Sequence, residues 1–160
     1  MRVRTILMLI DGCRQPDAVM RDVVGRARRG EVGAIHLLTV RPRLNRHIGQ
    51  FIGAAAIRAF QLAEGRSALA AARQPLLRAG LSHITHIGFG ETAAATVAAA
   101  RELRVDEIVV GADGDGLLGN LLQRLLVARL IARAAVPVLV VRAPAAAPML
   151  SPDRIRPAHP

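Results

Sequence analysis

Five short runs of β-length, rich in Val, Ile and Leu, alternate along this chain with four stretches of helical character. The runs are Val3 to Ile10, Val32 to Val40, His83 to Phe89, Val105 to Val110 and Pro137 to Val141. Val3 to Ile10 is nearly unbroken in its apolar character, as a strand buried on both faces requires. Between the runs lie Gln15 to Arg29, Phe51 to Ala79, Thr92 to Leu103 and Leu117 to Arg133. In the first of these, Val19, Val23 and Ala27 recur every four residues and form one apolar stripe. Gly53, Gly65 and Pro75 argue against a single unbroken helix over Phe51 to Ala79. The order β-α-β-α-β-α-β-α-β predicts an α/β domain. Its core is a doubly wound, five-stranded parallel sheet with right-handed crossovers and helices on both faces.

Composition narrows the choice further. The chain has 160 residues, enough for one domain with one core. It contains three Phe, no Tyr and no Trp, so Leu, Ile, Val and Ala must fill that core. This favours parallel strands under Ala/Leu helices over a β-sandwich. The net charge is +10, and every basic residue is Arg. Such a charge attracts anions, but the arginines are scattered and the aromatic platforms that single-stranded nucleic acid stacks on are missing. Nucleic acid is therefore not the expected partner. The one cysteine, Cys13, permits no internal disulfide and is compatible with the cytoplasm. The apolar run from Ile6 is too short for a signal peptide, and no run approaches the ~20 residues of a membrane span. A soluble protein with no membrane partner is expected.

A doubly wound sheet binds ligands beyond the carboxyl ends of its strands, where the strand order reverses. Those ends hold Asp11 and Gly12, Val40, Gly88 to Gly90, and the turn Gly111 to Gly116. That turn precedes a helix, whose first N–H groups and positive end suit a phosphate. Gly114 to Gly119 matches G-x-G-x-x-G literally. It follows the fourth strand rather than the first, however, and no acidic residue stands ~20 positions on. Asp113 to Gly116 lacks the third Asx and the Glu of a calcium loop.

Several of these segments together carry a family likeness. They are Ile10-Asp11-Gly12, Leu37-Leu38-Thr39-Val40, Gly90, Ile108 to Gly114, and the closing Val136-Pro137-Val138-Leu139-Val140-Val141-Arg142. On them the chain resembles the universal stress protein family over residues 1–142. Residues 143–160 are left as a Pro-rich, flexible tail. The resemblance implies a strand order of 3-2-1-4-5, a role in stress response, and a homodimer joined partly through the fifth strands. An apolar edge strand of Val138, Leu139, Val140 and Val141 gives that pairing a physical motive.

The resemblance also implies a nucleotide site. Asp11 matches the adenine-binding position and Val40 a base or ribose contact. Gly111 and Gly114 match the first glycines of a G-x2-G motif that continues, nine residues on, with G-S or G-T. Here those two positions are Arg124 and Leu125. Asp113 and Asp115 add carboxylates where phosphates would lie. The expectation is a regulatory or binding module with a degenerate nucleotide site and an unidentified protein partner. No cofactor is expected in it, and ATP or AMP would bind weakly at most. The alternative is a nucleotide switch or weak ATPase of the same fold.

The remaining chemistry-bearing residues point to no reaction. Cys13 reads as a small residue near the cleft. His83 and His86 lie on opposite faces of one strand and cannot share a metal. His36 reads as a satisfied, partly buried group. Ser67 and Ser82 have no His–acid pattern beside them.

Overall fold

Ile6, Leu7 and Met8, consecutive residues of the first strand, are all fully buried. Successive side chains of a strand point to opposite faces, so both faces of this strand lie under helices. The computed structural model describes residues 3–10, 16–43, 53–112 and 117–142. In chain order the elements are β1 (Arg4–Leu9), α1 (Pro16–Arg28), β2 (Val32–Arg41), α2 (Ala54–Arg78), β3 (Ile84–Phe89), α3 (Thr92–Glu102), β4 (Glu107–Ala112), α4 (Leu117–Arg133) and β5 (Val138–Arg142). All strand pairs are parallel, and the sheet order is β3-β2-β1-β4-β5. The expected fold class and strand order are both found.

The side chains divide by face. Ile6 and Met8, with Ile35, Leu37 and Val109, pack against Val19, Met20 and Val23 of α1 and Leu69, Ala72 and Leu76 of α2. Leu7 and Leu9, with Leu38, Val40, Ile108 and Val110, pack against Ala93 and Ala100 of α3 and Leu130 of α4. Each fully buried aliphatic side chain contributes roughly 1.5–3 kcal/mol. Leu, Ile, Val and Met thus supply the core without aromatics.

Helix α2 departs from expectation. It runs unbroken through Gly65 and Pro75 for 25 residues. Gly65 lies where the helix approaches β3 closely: a Cβ there would stand 3.0 Å from Ile87 Cδ1. Pro75 falls near the helix end, and the buried Leu69, Ala72 and Leu76 hold the last turns on the sheet. Packing outweighs the lost backbone hydrogen bond. Strand boundaries also shift by one or two residues. His83 precedes β3, Arg41 belongs to β2, β1 is Arg4–Leu9, β4 is Glu107–Ala112, and β5 is Val138–Arg142.

The amino ends of the two central strands are tied by charge. Glu107, the first residue of β4, is 3% exposed. It accepts a two-pronged pair of hydrogen bonds from Arg26 of α1, at 2.8 and 3.0 Å, and one from Arg4 of β1 at 2.6 Å. Burial alone would raise the Glu107 carboxyl, but the hydrogen bonds from Arg26 and Arg4 outweigh it and hold the group below the usual carboxylate range. Arg26 is buried too, and the Glu107 hydrogen bond raises its pKa further.

Removing one partner of such a pair strands the other. Glu107→Gln is expected to lower the unfolding free energy by about 3 kcal/mol, measured by urea denaturation. The pH response follows from the sign of the shift. The folded pKa lies below the unfolded value of about 4.3, so this stabilisation is complete above that pH. It is lost as pH falls through the folded pKa. Between pH 5 and 3 (roughly, given) the variant should lose stability less steeply than the native chain.

Candidate functional site

The strand order places a reversal between β1 and β4. From β1 the chain winds through α1 to β2 on one side, and from β3 it crosses through α3 to β4 on the other. Helices α1 and α4, which follow β1 and β4, pack on opposite faces of the sheet, the arrangement in which a doubly wound sheet takes its ligand at the carboxyl ends of those strands. Of the expected nucleotide contacts, Asp11 and Gly114 lie outside the described residues, as do Asp113, Asp115 and Cys13. Val40 and Gly111 are the next-to-last residues of β2 and β4.

Val40 is 6% exposed and belongs to the core under α3 and α4. A Cβ on Gly88 would sit 3.5 Å from its Cγ2. Its side chain is committed to packing, so what it presents at the strand end is backbone. Gly111 is buried, and its carbonyl accepts a hydrogen bond from the Gln123 side chain of α4. Arg124 and Leu125, which stand at the glycine and hydroxyl positions of the motif, are exposed, Leu125 by 47%. Sequence reasoning passed over Gln123. A lone amide in the run Leu121-Leu122-Gln123-Arg124-Leu125-Leu126 was the available signal.

On the other side of β1 the rim is cationic. Arg41, the last residue of β2, donates to the buried Thr39 hydroxyl at 3.4 Å. The Arg41 Nε is buried and has no hydrogen-bond partner among the described residues. Gln61 of α2 donates to the Pro42 carbonyl at 2.6 Å, which fixes the chain leaving β2. Arg58, one turn earlier on α2, lies 4.6 Å over the Phe89 ring at the end of β3. Gly90, at φ 122°, turns the chain there and donates to the Arg41 carbonyl at 2.9 Å. Two guanidinium groups thus flank the strand ends, an environment that favours an anion.

Glu91 starts α3. It accepts hydrogen bonds from the Ala94 and Ala93 N–H groups, and these, the Ala94 bond foremost, hold its carboxyl below the usual range.

The histidines are arranged differently from expectation. His83 Nδ1 lies 3.1 Å from the Leu81 carbonyl, ahead of β3. His86 instead meets His36 of β2, with Nδ1 of His36 and Nε2 of His86 2.9 Å apart. In the parallel register His36 lies opposite Ile84 and His86 opposite Leu38, so the two rings are diagonal neighbours on one face. His36 is 8% exposed and satisfied by this contact, as its reading had it. Burial lowers the pKa of both rings, and the charge of His86 lowers that of His36 further. Among the described residues, no three or more His, Cys, Asp or Glu side chains group to hold a metal. No helix among them is long and apolar enough to cross a membrane.

A doubly wound parallel sheet with its winding reversed between β1 and β4 and a glycine near the end of β4 defines a class of α/β domain. The model of the universal stress protein family matches residues 2–142, and the chain belongs to that family. Solved structures share the fold. UspA from Lactobacillus plantarum is 18% identical at a TM-score of 0.70, with 89% of this chain and 100% of that one covered. The universal stress protein from Archaeoglobus fulgidus in complex with dAMP is 18% identical at 0.61, covering 88% and 99%. A family member from Arabidopsis thaliana with AMP bound is 17% identical at 0.59, covering 88% and 93%. No curated protein matches the chain by sequence.

The histidine pair sets a pH dependence of its own. Both folded pKa values lie below the unfolded value of about 6.5, so the unfolded chain binds more protons in that window and stability rises with pH. The contribution is complete above about 6.5 and declines as pH falls below it. His86→Gln keeps a hydrogen-bonding group beside His36 and removes one titrating ring. The melting temperature of this variant should fall less between about pH 7 and 5.5 than that of the native chain.

Proposed function

We propose that the chain is a dimeric, non-catalytic binding module of the stress response, acting in the cytoplasm, with a nucleotide site impaired at its phosphate end. One observation carries this reading. The residues at the glycine and hydroxyl positions of the phosphate motif, Arg124 and Leu125, turn to solvent, while Gln123 occupies the Gly111 carbonyl. A triphosphate laid along this edge would find neither the small residue that lets it approach nor the hydroxyl that bonds it. Asp113 and Asp115 add two negative charges in the same turn.

A second reading has support of its own. Arg41 and Arg58 make the other rim cationic, and the relatives from Archaeoglobus fulgidus and Arabidopsis thaliana hold dAMP and AMP. On that reading the module is a switch for a monophosphate nucleotide, bound through Asp11, Val40, Gly111 and Gly114.

Exposed apolar surface on the β5 side supports the dimer. Leu139 of β5 is 37% exposed, and α4 presents Leu121, Leu122, Leu125 and Ile131 to solvent. A second copy pairing edge to edge along Val138 to Val141 would satisfy the open hydrogen-bonding groups and cover part of this surface.

Two measurements check the proposal. Millimolar ATP with Mg²⁺ should leave the melting temperature unchanged, because only a ligand that binds the folded state raises it. A clear rise with ATP would refute the impaired site, and a rise with AMP alone would select the switch. In light scattering the native chain should have the mass of a dimer, and Leu139→Arg should reduce it to a monomer.

A further inference from the structure

Arg41 holds a charged group where packing alone gives it little reason to stay. It closes β2 on the same face as Ile35, Leu37 and Thr39, the face that α1 and α2 cover. Its Nε is buried and has no hydrogen-bond acceptor among the described residues. The bond from its Nη2 to the Thr39 hydroxyl spans 3.4 Å, longer than an ordinary N–H···O bond. A buried charged donor without an acceptor is costly, and a folded chain that keeps one calls for an explanation.

The surroundings of Arg41 add cations instead of an acceptor. Phe89 lies opposite Arg41 in the β2–β3 register, on the neighbouring strand about 4.8 Å away. Arg58 of α2 stacks on the Phe89 ring at 4.6 Å. A stacked guanidinium engages its face and keeps its N–H edge for an acceptor in its own plane. Gln61, bonded to the Pro42 carbonyl, fixes this part of α2 against the end of β2. Gly90, whose N–H bonds the Arg41 carbonyl, brings in a third group: a Cβ there would stand 3.7 Å from Arg43 Nε.

Local structure does not account for this convergence. Gly53 offers no side chain to cap α2, and the first turn of the helix has no acidic residue. Arg58, the fifth residue of α2, adds positive charge near the end where a helix already carries it. From Arg41 to Gly53 the sequence contains three arginines and one histidine and no Asp or Glu. Among the described residues, no carboxylate is ion-paired with Arg41, Arg43 or Arg58.

We propose that the carboxyl ends of β2 and β3, beside the start of α2, bind the terminal phosphate of a small phosphorylated molecule between Arg41 and Arg58. A phosphate monoester carries close to two negative charges at neutral pH and three acceptor oxygens. It can meet the Nε edge of Arg41 and the N–H edge of Arg58 at once, as charge-assisted bonds. A carboxylate or a nucleic-acid phosphodiester brings only one charge to the same two forks. The site stands on β2, β3 and α2, away from the glycine turn that follows β4. It goes beyond the nucleotide reading and holds whether or not a base binds beside β1.

The test titrates the full chain with inorganic phosphate and with glycerol 3-phosphate, by calorimetry at constant ionic strength. Acetate, duplex DNA and AMP are the comparators. The native chain should bind both phosphates saturably, about tenfold or more tighter than acetate. Arg58→Gln, at an exposed position, should weaken binding about tenfold or more. Arg41→Met keeps the apolar stem and removes the charged head. It should weaken binding by a similar factor, without lowering the melting temperature in phosphate-free buffer. In Mg·ATP the metal already meets the charge of the terminal phosphate, so that complex is a poor ligand here. AMP separates this site from the nucleotide reading. Affinity equal to that of glycerol 3-phosphate marks a phosphate held here without a base contact. AMP binding with no response to either simple phosphate would overturn this site and favour the switch. Absence of saturable phosphate binding would also overturn it. So would undiminished binding by Arg58→Gln, or equal or tighter binding of acetate or DNA.

Discussion

Two-sided burial of β1 and β4 is the constraint from which the rest of this structure follows. Ile6, Leu7, Met8, Ile108 and Val109 are completely excluded from water. Consecutive buried residues in a strand demand a layer on each face, and parallel strands demand a crossover for each connection. The chain meets both demands with α1 and α2 on one face and α3 and α4 on the other. The winding reverses between β1 and β4 as a result. The place of the candidate site is a consequence of how the core is covered.

The legible and the illegible parts of this fold differ in physical kind. Runs of Val, Ile and Leu report local conformation and two-sided burial, so the five strands and the parallel sheet could be read from them. The order 3-2-1-4-5 rested on family resemblance, because periodicity carries no information about which strands are neighbours. The continuity of α2 was misread, because the packing that offsets Gly65 and Pro75 comes from Ile87 and the sheet, distant in sequence. The His36–His86 contact depends on the register of β2 against β3, and comparing His83 with His86 on one strand could not reveal it. The role of Glu107 depends on Arg26 and Arg4, which lie 81 and 103 residues away in sequence. At the candidate site, Val40 and Gly111 fall one residue inside the ends of β2 and β4. The outward turn of Arg124 and the inward reach of Gln123 depend on the rotation of α4 about its axis, which a strongly apolar helix leaves undetermined by pattern alone.

The large positive charge of the chain is partitioned rather than spread. One share is neutralised internally: Arg26 and Arg4 saturate a buried carboxylate and weld α1 to the central strands. Another share stands at the carboxyl edge of the sheet, where Arg41 and Arg58 bracket Thr39 and Phe89. A third, Arg21, Arg28 and Arg78, lines a recess between α1 and α2. The same face of the molecule therefore carries cationic groups at both ends, with a well-packed core between them.

The central place of β1 has a consequence for how the protein comes into being. Within this domain β1 is made before the other strands and is also the middle strand of the finished sheet, and its partner β4 follows about a hundred residues later. At typical elongation rates the nascent chain spends roughly 5 to 20 seconds with one side of β1 unpaired. Neither the β1–β4 ladder nor the clasp of Arg4 and Arg26 on Glu107 exists during that interval. A domain of this design therefore exposes an unpaired apolar strand edge for as long as β4 is still to be made.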